Sequence, residues 1–215
     1  DDFLVESEII IVDLSKDMLG VAETKIKAGL YKNKISLINA DMTNVKELGN
    51  NIADYIISTY NPLSFVDNPQ SVIDEAYRIV KPGGKVTITV QAYYNALYSK
   101  IYNYQAPVEE LRQIREKKKL FWNDFVPETW QLSQQDMEEM FRQAGFNEIE
   151  SRGIACITQP QDEDWDQTNT KIGKLSKKLN TDEAFFKAVL ESELIAGKDQ
   201  YAVNRGMNIM TIGKK

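Results

Sequence analysis

Glu8-Ile-Ile-Ile-Val-Asp-Leu-Ser15 is the stretch from which the fold class follows. An unbroken β-branched run that ends in an acid and a serine suits a strand buried on both faces of a parallel sheet, where the usual alternation of apolar and polar residues disappears. Ser15 stands where a helix cap belongs, and the helix is expected from Lys16 to about Leu30. The same unit then recurs. Lys34–Ala40 reads as a second strand ending at Asp41, and Ala53–Thr59 as a third. Ser71–Val80 has Val72, Ile73, Ala76, Ile79 and Val80 at helical spacing, and Pro82-Gly83-Gly84 is expected to break the chain before a fourth strand, Lys85–Val90. Strands alternating with helices imply a parallel α/β sheet with right-handed crossovers.

After Gln91 the rhythm changes. Tyr93–Tyr104 holds five tyrosines in twelve residues, and Tyr94, Tyr98 and Tyr102 fall on one helix face. Val108–Lys119 reads as a charged helix and Phe121–Trp130 as irregular and aromatic. Regular order returns at Ser133, which with Asp136 forms a capping box ahead of a helix that stops at Gly145. Phe146–Ile157 reads as strand, Gln159–Thr170 as an acidic surface loop, Thr181 as the cap of a helix over Asp182–Ala196, and Met207–Gly213 as a closing strand. Residues 1–92 and 131–215 are therefore read as one domain, and 93–130 as an insertion.

With 215 residues the chain is long enough to bury a full core without cross-links. Its net charge of −6 argues against a nucleic-acid grip, which needs a clustered basic footprint. A single cysteine, Cys156, excludes an internal disulfide and is read as core. The chain has no histidine, which removes Ser-His-Asp and Cys-His catalysis and most transition-metal sites, so no metal is expected. No apolar run approaches the ~18 residues of a membrane span, and no signal peptide is visible. The expectation is a soluble cytoplasmic protein.

The sheet as read lacks a piece. Phe3-Leu4-Val5 has the residues of a strand, but the one or two residues before Glu8 cannot carry the chain back to begin a parallel neighbour, which needs a crossover of a dozen or more. Either the chain enters the fold late or a segment near Ser7 and Glu8 is absent. The second is preferred, because Asp1–Ser7 reads as a fragment of an element with no partner.

Five stretches together resemble the class I S-adenosylmethionine-dependent methyltransferases of the small-molecule type. Ile11-Val-Asp-Leu-Ser-Lys-Asp-Met-Leu19 is similar to the family's second-strand signature, and Ile38-Asn-Ala-Asp-Met42 to its third-strand acidic motif. Asp54–Val66 resembles the fourth-strand motif, Arg78-Ile-Val-Lys-Pro-Gly-Gly-Lys85 the turn before the fifth strand, and Met137–Phe146 the helix before the sixth. The family's glycine-rich first motif is not present, which matches the gap in the sheet. The resemblance implies a Rossmann-like three-layer α/β/α sandwich. Its sheet would be mostly parallel and seven-stranded, with an antiparallel last strand, and residues 93–130 would form a helical lid over the acceptor pocket.

The resemblance also implies site residues. Asp13, at a strand's carboxyl end, would accept hydrogen bonds from ribose hydroxyls; the alternative is an ordinary acid at a helix start. Asp41 would accept from the adenine amino group, with Ala40 and Met42 forming an apolar slot, or it is a turn residue. Leu14 and Met18 would pack on the adenine, although a methionine at helical spacing also suits a core. Ser58 and Thr59 would lie beside the cofactor's sulfonium. Tyr60 and Asn61 are the candidate catalytic pair. Asn61-Pro62-Leu63-Ser64 partly matches the Asn-Pro-Pro-Tyr motif of amino methyltransferases, and Asn61 would orient an acceptor through its carbonyl oxygen or simply build a turn. The tyrosine face would attract a cationic acceptor or pack the lid.

The implied reaction is in-line transfer of a methyl group from S-adenosylmethionine to nitrogen or oxygen of a small-molecule acceptor. It needs orientation and desolvation more than a histidine base. Three rival readings remain open at this point: a protein or RNA methyltransferase, a nicotinamide dehydrogenase, and a cofactor-binding pseudoenzyme or regulatory module.

Overall fold

A computed structural model describes residues 7–29, 34–159 and 173–215. The first unit is strand β1 (Ile9–Asp13), helix α1 (Lys16–Lys27) and strand β2 (Ile35–Asn39). β1 and β2 pair in parallel from Ile9 opposite Ile35 to Asp13 opposite Asn39. The second unit is β3 (Ala53–Ser58), a 3-10 turn at Pro62–Phe65, α2 (Pro69–Ile79) and β4 (Val80–Gln91), again with parallel strands.

The insertion follows, with α3 (Tyr93–Tyr102), α4 (Val108–Lys117) and a short hairpin of β5 (Lys119–Leu120) and β6 (Thr129–Trp130). The chain continues through α5 (Gln134–Ala144), β7 (Asn147–Ile154), α6 (Lys174–Thr181), α7 (Glu183–Ala196) and β8 (Asn208–Lys214). β8 lies antiparallel between β4 and β7, giving the order β3-β4-β8-β7.

The seven-stranded sheet expected from the sequence is corrected here: the main sheet has four mixed strands, and β1-β2 forms a separate parallel pair. The physical reason lies at the strand edges. No ladder joins β1 to β3 among the described residues, so one edge of each carries no strand partner. Residues near these edges remain open, with Ile57 69% exposed. The two-stranded unit is instead fastened through the loop after β2. Glu75, on α2, accepts from the Val45 amide at 2.6 Å, and Arg78 donates to the carbonyls of Leu48 and Val45 and to Asn50 Oδ1. Met42 packs against the main core.

That core lies where α2 and α5 cover the sheet, with Ile73, Val86, Ile88, Met137, Phe141 and Ile209 buried together. α5 begins with the expected capping box: Ser133 Oγ accepts from the Asp136 amide while the Asp136 carboxylate accepts from the Ser133 amide. It ends at Gly145, whose φ of 104° suits glycine.

Four local expectations are corrected. Pro82-Gly83-Gly84 does not break the strand, because the Gly83 amide donates to the Lys215 carbonyl and the Lys215 amide to the Gly84 carbonyl. Asp182, not Thr181, caps α7, its carboxylate accepting from the Phe185 amide, and Thr181 closes α6 instead. The ends of the aromatic stretch before Trp130 pair as a hairpin. Cys156 is half-buried just beyond β7, where burial and then the nearby Glu193 push its thiol pKa up. From residue 160 onward the expected acidic loop lies outside the described residues, as does Phe3-Leu4-Val5.

Candidate functional site

The candidate residues fall into two groups, one on each sheet. The first is built where β1 and β2 end. Asp13 Oδ1 accepts from the Ser15 amide at 2.7 Å, and Ser15 Oγ in turn accepts from the Met18 amide, so the acid and the cap together set the start of α1. The Ala40 amide donates to the Asp13 carbonyl at 3.2 Å. Asn39 Nδ2 donates to the carbonyls of both Asp13 and Leu14, at 3.0 and 2.8 Å, stapling the two strand ends together.

Asp41 repeats the pattern. Its Oδ1 accepts from the Thr43 amide at 2.8 Å and the Thr43 hydroxyl at 2.7 Å, and these bonds, the amide first, hold its carboxyl below the usual aspartate range. The carboxylate is therefore charged at neutral pH. In both Asp13 and Asp41 one oxygen is committed to the turn, while the other takes no hydrogen bond among the described residues. Leu14 and Met18 lie beside this group with 72% and 59% of their surface exposed. Two carboxylate oxygens and two open apolar side chains at adjacent strand ends suit the adenosine half of S-adenosylmethionine. Residues 1–19 contain no glycine. Met42, expected in the adenine slot, is partly buried and also packs against the main core.

The second group follows β3. Tyr60 and Asn61 are consecutive non-glycine residues in the left-handed region, with φ of 64° and 63°. Such backbone costs of order 1–2 kcal/mol per residue and persists only where its surroundings enforce it. Here Pro62 disfavours the helical alternative for the residue before it, and the buried Thr89 hydroxyl accepts from the Asn61 amide at 3.1 Å. Asn61 Nδ2 donates to Asn208 Oδ1 at 2.8 Å. Asn61 Oδ1 and Ser58 Oγ are buried without a hydrogen-bond partner among the described residues. Thr59 is exposed, and Tyr60 is 95% exposed.

At the end of β4, Gln91 fastens the insertion. Its Oε1 accepts from Trp122 Nε1, Thr129 Oγ1 and Gln131 Nε2. Lys118 pairs with Asp136, and Trp130 Nε1 donates to the Val66 carbonyl. Within the insertion the buried Lys100 ammonium pairs with Glu110 at 2.6 Å and lies over the rings of Tyr104 and Trp122. A cavity of about 330 Å³ opens beside it, lined among others by Phe121, Trp122 and Glu128, and none of the expected site residues lines it. Tyr94, Tyr98 and Tyr102 are exposed, the last two with rings stacked 5.4 Å apart.

Asn39, Thr89, Asn208 and Gln91 were missed in the sequence. Only Thr89 carried a signal, as a hydroxyl inside the apolar run Val86–Val90.

A family model described as "Methyltransferase domain" matches residues 2–84, which span β1 to the start of β4. The chain is 31% identical over 166 residues to a demethylmenaquinone methyltransferase of Geobacillus sp., covering 70% of this chain and 66% of that protein. It is 28% identical over 160 residues to another protein of that name from Oceanobacillus iheyensis, covering 70% and 65%. The chain thus spans just under two thirds of these relatives. Among solved structures, an S-adenosylmethionine-dependent methyltransferase from Mesorhizobium loti superimposes with a TM-score of 0.56 at 16% identity, covering 97% of this chain and 81% of that one. That likeness is one of fold alone.

Proposed function

The chain belongs to the class I S-adenosylmethionine-dependent methyltransferases, and from that premise we propose that it moves a methyl group from S-adenosylmethionine to a small-molecule acceptor of the reduced-quinone class. The observation that carries the reading is the pair Asp13 and Asp41. They end adjacent parallel strands, and each has one oxygen tied to its turn and the other without a partner among the described residues. The names of the two relatives supply the acceptor class.

S-adenosylmethionine, when bound, supplies a methyl group on a sulfonium whose sulfur departs as a neutral thioether, so the leaving group needs no acid. The protein's residues supply the rest. Asp13 would hold the ribose hydroxyls and Asp41 the adenine amino group, with Leu14, Met18 and Ala40 against the ring. Ser58 and Thr59 would flank the reacting methyl, and Tyr60 and Asn61 would orient the acceptor. Residues 93–130, held to β4 through Gln91, would cover the acceptor and exclude water. An orienting site of this kind accelerates transfer by fixing the nucleophile in line with the methyl group, and it asks for no histidine.

Calorimetry with S-adenosylmethionine, using NAD as control, tests the cofactor; methyl transfer to reduced demethylmenaquinone in detergent tests the acceptor. Micromolar binding of S-adenosylmethionine, no binding of NAD and a methylated quinol product are expected. Binding of NAD in preference would sink the reading. Cofactor binding without turnover on any acceptor would make the chain a binding module.

A further inference from the structure

We infer that Asn208 is a positioning residue for Asn61, and that together they select an acceptor presenting an O–H or N–H donor to Asn61 Oδ1. The inference rests on the methyltransferase reading for its acceptor and on this geometry alone for the pair. Asn208 opens β8 and is held on both sides, opposite Gln91 on β4 and Ile154 on β7, so its side chain springs from settled backbone. Its Oδ1 takes one Asn61 Nδ2 proton at 2.8 Å across 147 residues of sequence. With Nδ2 engaged and the Asn61 amide nitrogen held by Thr89 Oγ1, the rotation of the side chain is set, and its carbonyl oxygen remains as the unsatisfied group.

A buried carbonyl oxygen without a donor is destabilising, and a donor on the acceptor relieves it. Ser58 Oγ, also buried and unpartnered, lies three residues before Asn61 on the same strand end. Asn61 Oδ1 is covered in this structure, so the acceptor reaches it through movement on the Tyr60 side of the Tyr60–Asn61 turn, with the Asn61 bonds to Thr89 and Asn208 kept. Its two left-handed residues leave that turn the most strained backbone around the site. A quinol hydroxyl or an amine meets the requirement, whereas an aprotic ring ketone or an ether does not.

The orientation has a decisive variant. Asn208→Asp can only accept, so it preserves the bond from Asn61 Nδ2.

Two readouts on the full chain test the inference. Side-chain amide NMR of asparagine-labelled protein follows the Asn61 amide protons without turnover. One proton is expected downfield, returning to the solvent value in Asn208→Ala and remaining shifted in Asn208→Asp. Kinetics with reduced demethylmenaquinone should show kcat/KM for the acceptor falling about 10- to 100-fold in Asn208→Ala, the loss expected for one such bond. S-adenosylmethionine affinity and melting temperature should hold, and Asn208→Asp should recover most of the loss. An Asn61 amide that ignores Asn208→Ala overturns the inference, as does an Asp variant as impaired as the Ala variant. If no form turns over the quinol while the amide signature follows Asn208, the acceptor reading fails and the positioning role stands.

Discussion

Replacing Arg78 by alanine tests whether a single guanidinium holds the β1-β2 unit to the main sheet. Arg78 Nε and Nη2 donate to the two Glu75 carboxylate oxygens at 2.7 Å each, while Nη1 and Nη2 reach Leu48, Asn50 and Val45 on the loop after β2. Removing it leaves a nearly buried Glu75 carboxylate with one remaining donor, the Val45 amide. Breaking a buried pair costs about 3–5 kcal/mol; the Arg78 side chain is 32% exposed, which brings the expectation down to about 2–3 kcal/mol. In a domain of this size that lowers the melting temperature by about 4–12 °C.

The pH dependence follows from the sign of the Glu75 shift. The Arg78 hydrogen bonds hold its carboxyl below the ordinary glutamate range against burial. Its contribution is therefore complete above about pH 4.3 and fades as pH falls through the lower folded-state value. Urea unfolding of wild type and Arg78→Ala at pH 7 and again near pH 3 should show a gap that narrows in acid. A loss under about 1 kcal/mol at pH 7, the level of an exposed ion pair, would refute the reasoning. So would a gap that is the same at both pH values. Because the same loop begins at Asp41, S-adenosylmethionine affinity should fall in parallel.

Asp13→Ala and Asp41→Ala should each weaken S-adenosylmethionine binding by about 1.5–3 kcal/mol, roughly 10- to 150-fold, in calorimetry; an unchanged dissociation constant removes that residue from the site. Tyr60→Gly relieves a left-handed residue whose ring lies in solvent, against the extra flexibility of glycine in the unfolded chain. Denaturation should show stability unchanged or raised by up to about 1 kcal/mol, with acceptor turnover reduced, and a loss above 1 kcal/mol would contradict the strain argument. Glu193→Gln should destabilise by about 1–2 kcal/mol at neutral pH and much less in acid. Burial opposes charge on Glu193, but the Thr158 hydroxyl and the amides of Thr158, Cys156 and Ile157 outweigh it and hold its carboxyl low. Equal losses at both pH values would mean that the charge is not what those donors recognise.

What could be read in the sequence was what neighbours along the chain decide. β1 was legible because a continuous β-branched run suits a strand in a parallel sheet, and α5 because both its cap and its glycine stop are local. Asp13 and Asp41 stood out as acids at strand ends. What failed depended on partners far away. Pro82-Gly83-Gly84 reads as a break until Lys215 supplies the hydrogen bonds that carry the strand through it. The extent of the sheet was overestimated because a strand's residues do not reveal whether both of its edges meet a neighbour, and β1 and β3 do not meet each other. Asn39 and Asn208 looked like ordinary strand ends, since what sets them apart is side-chain amide contacts made to residues far along the chain.

The antiparallel β8 has a consequence for biosynthesis. β4 needs β8 along one side, but 117 residues separate Gln91 from its partner Asn208. At a ribosomal rate of about 5–20 residues per second, β4 waits about 6 to 23 s with that edge uncapped. During the wait the nascent chain carries β3 and β4 as an open template. Crowded polysomes would then favour exchange of β8 between neighbouring chains, and a slower translation rate would lengthen the exposure in proportion.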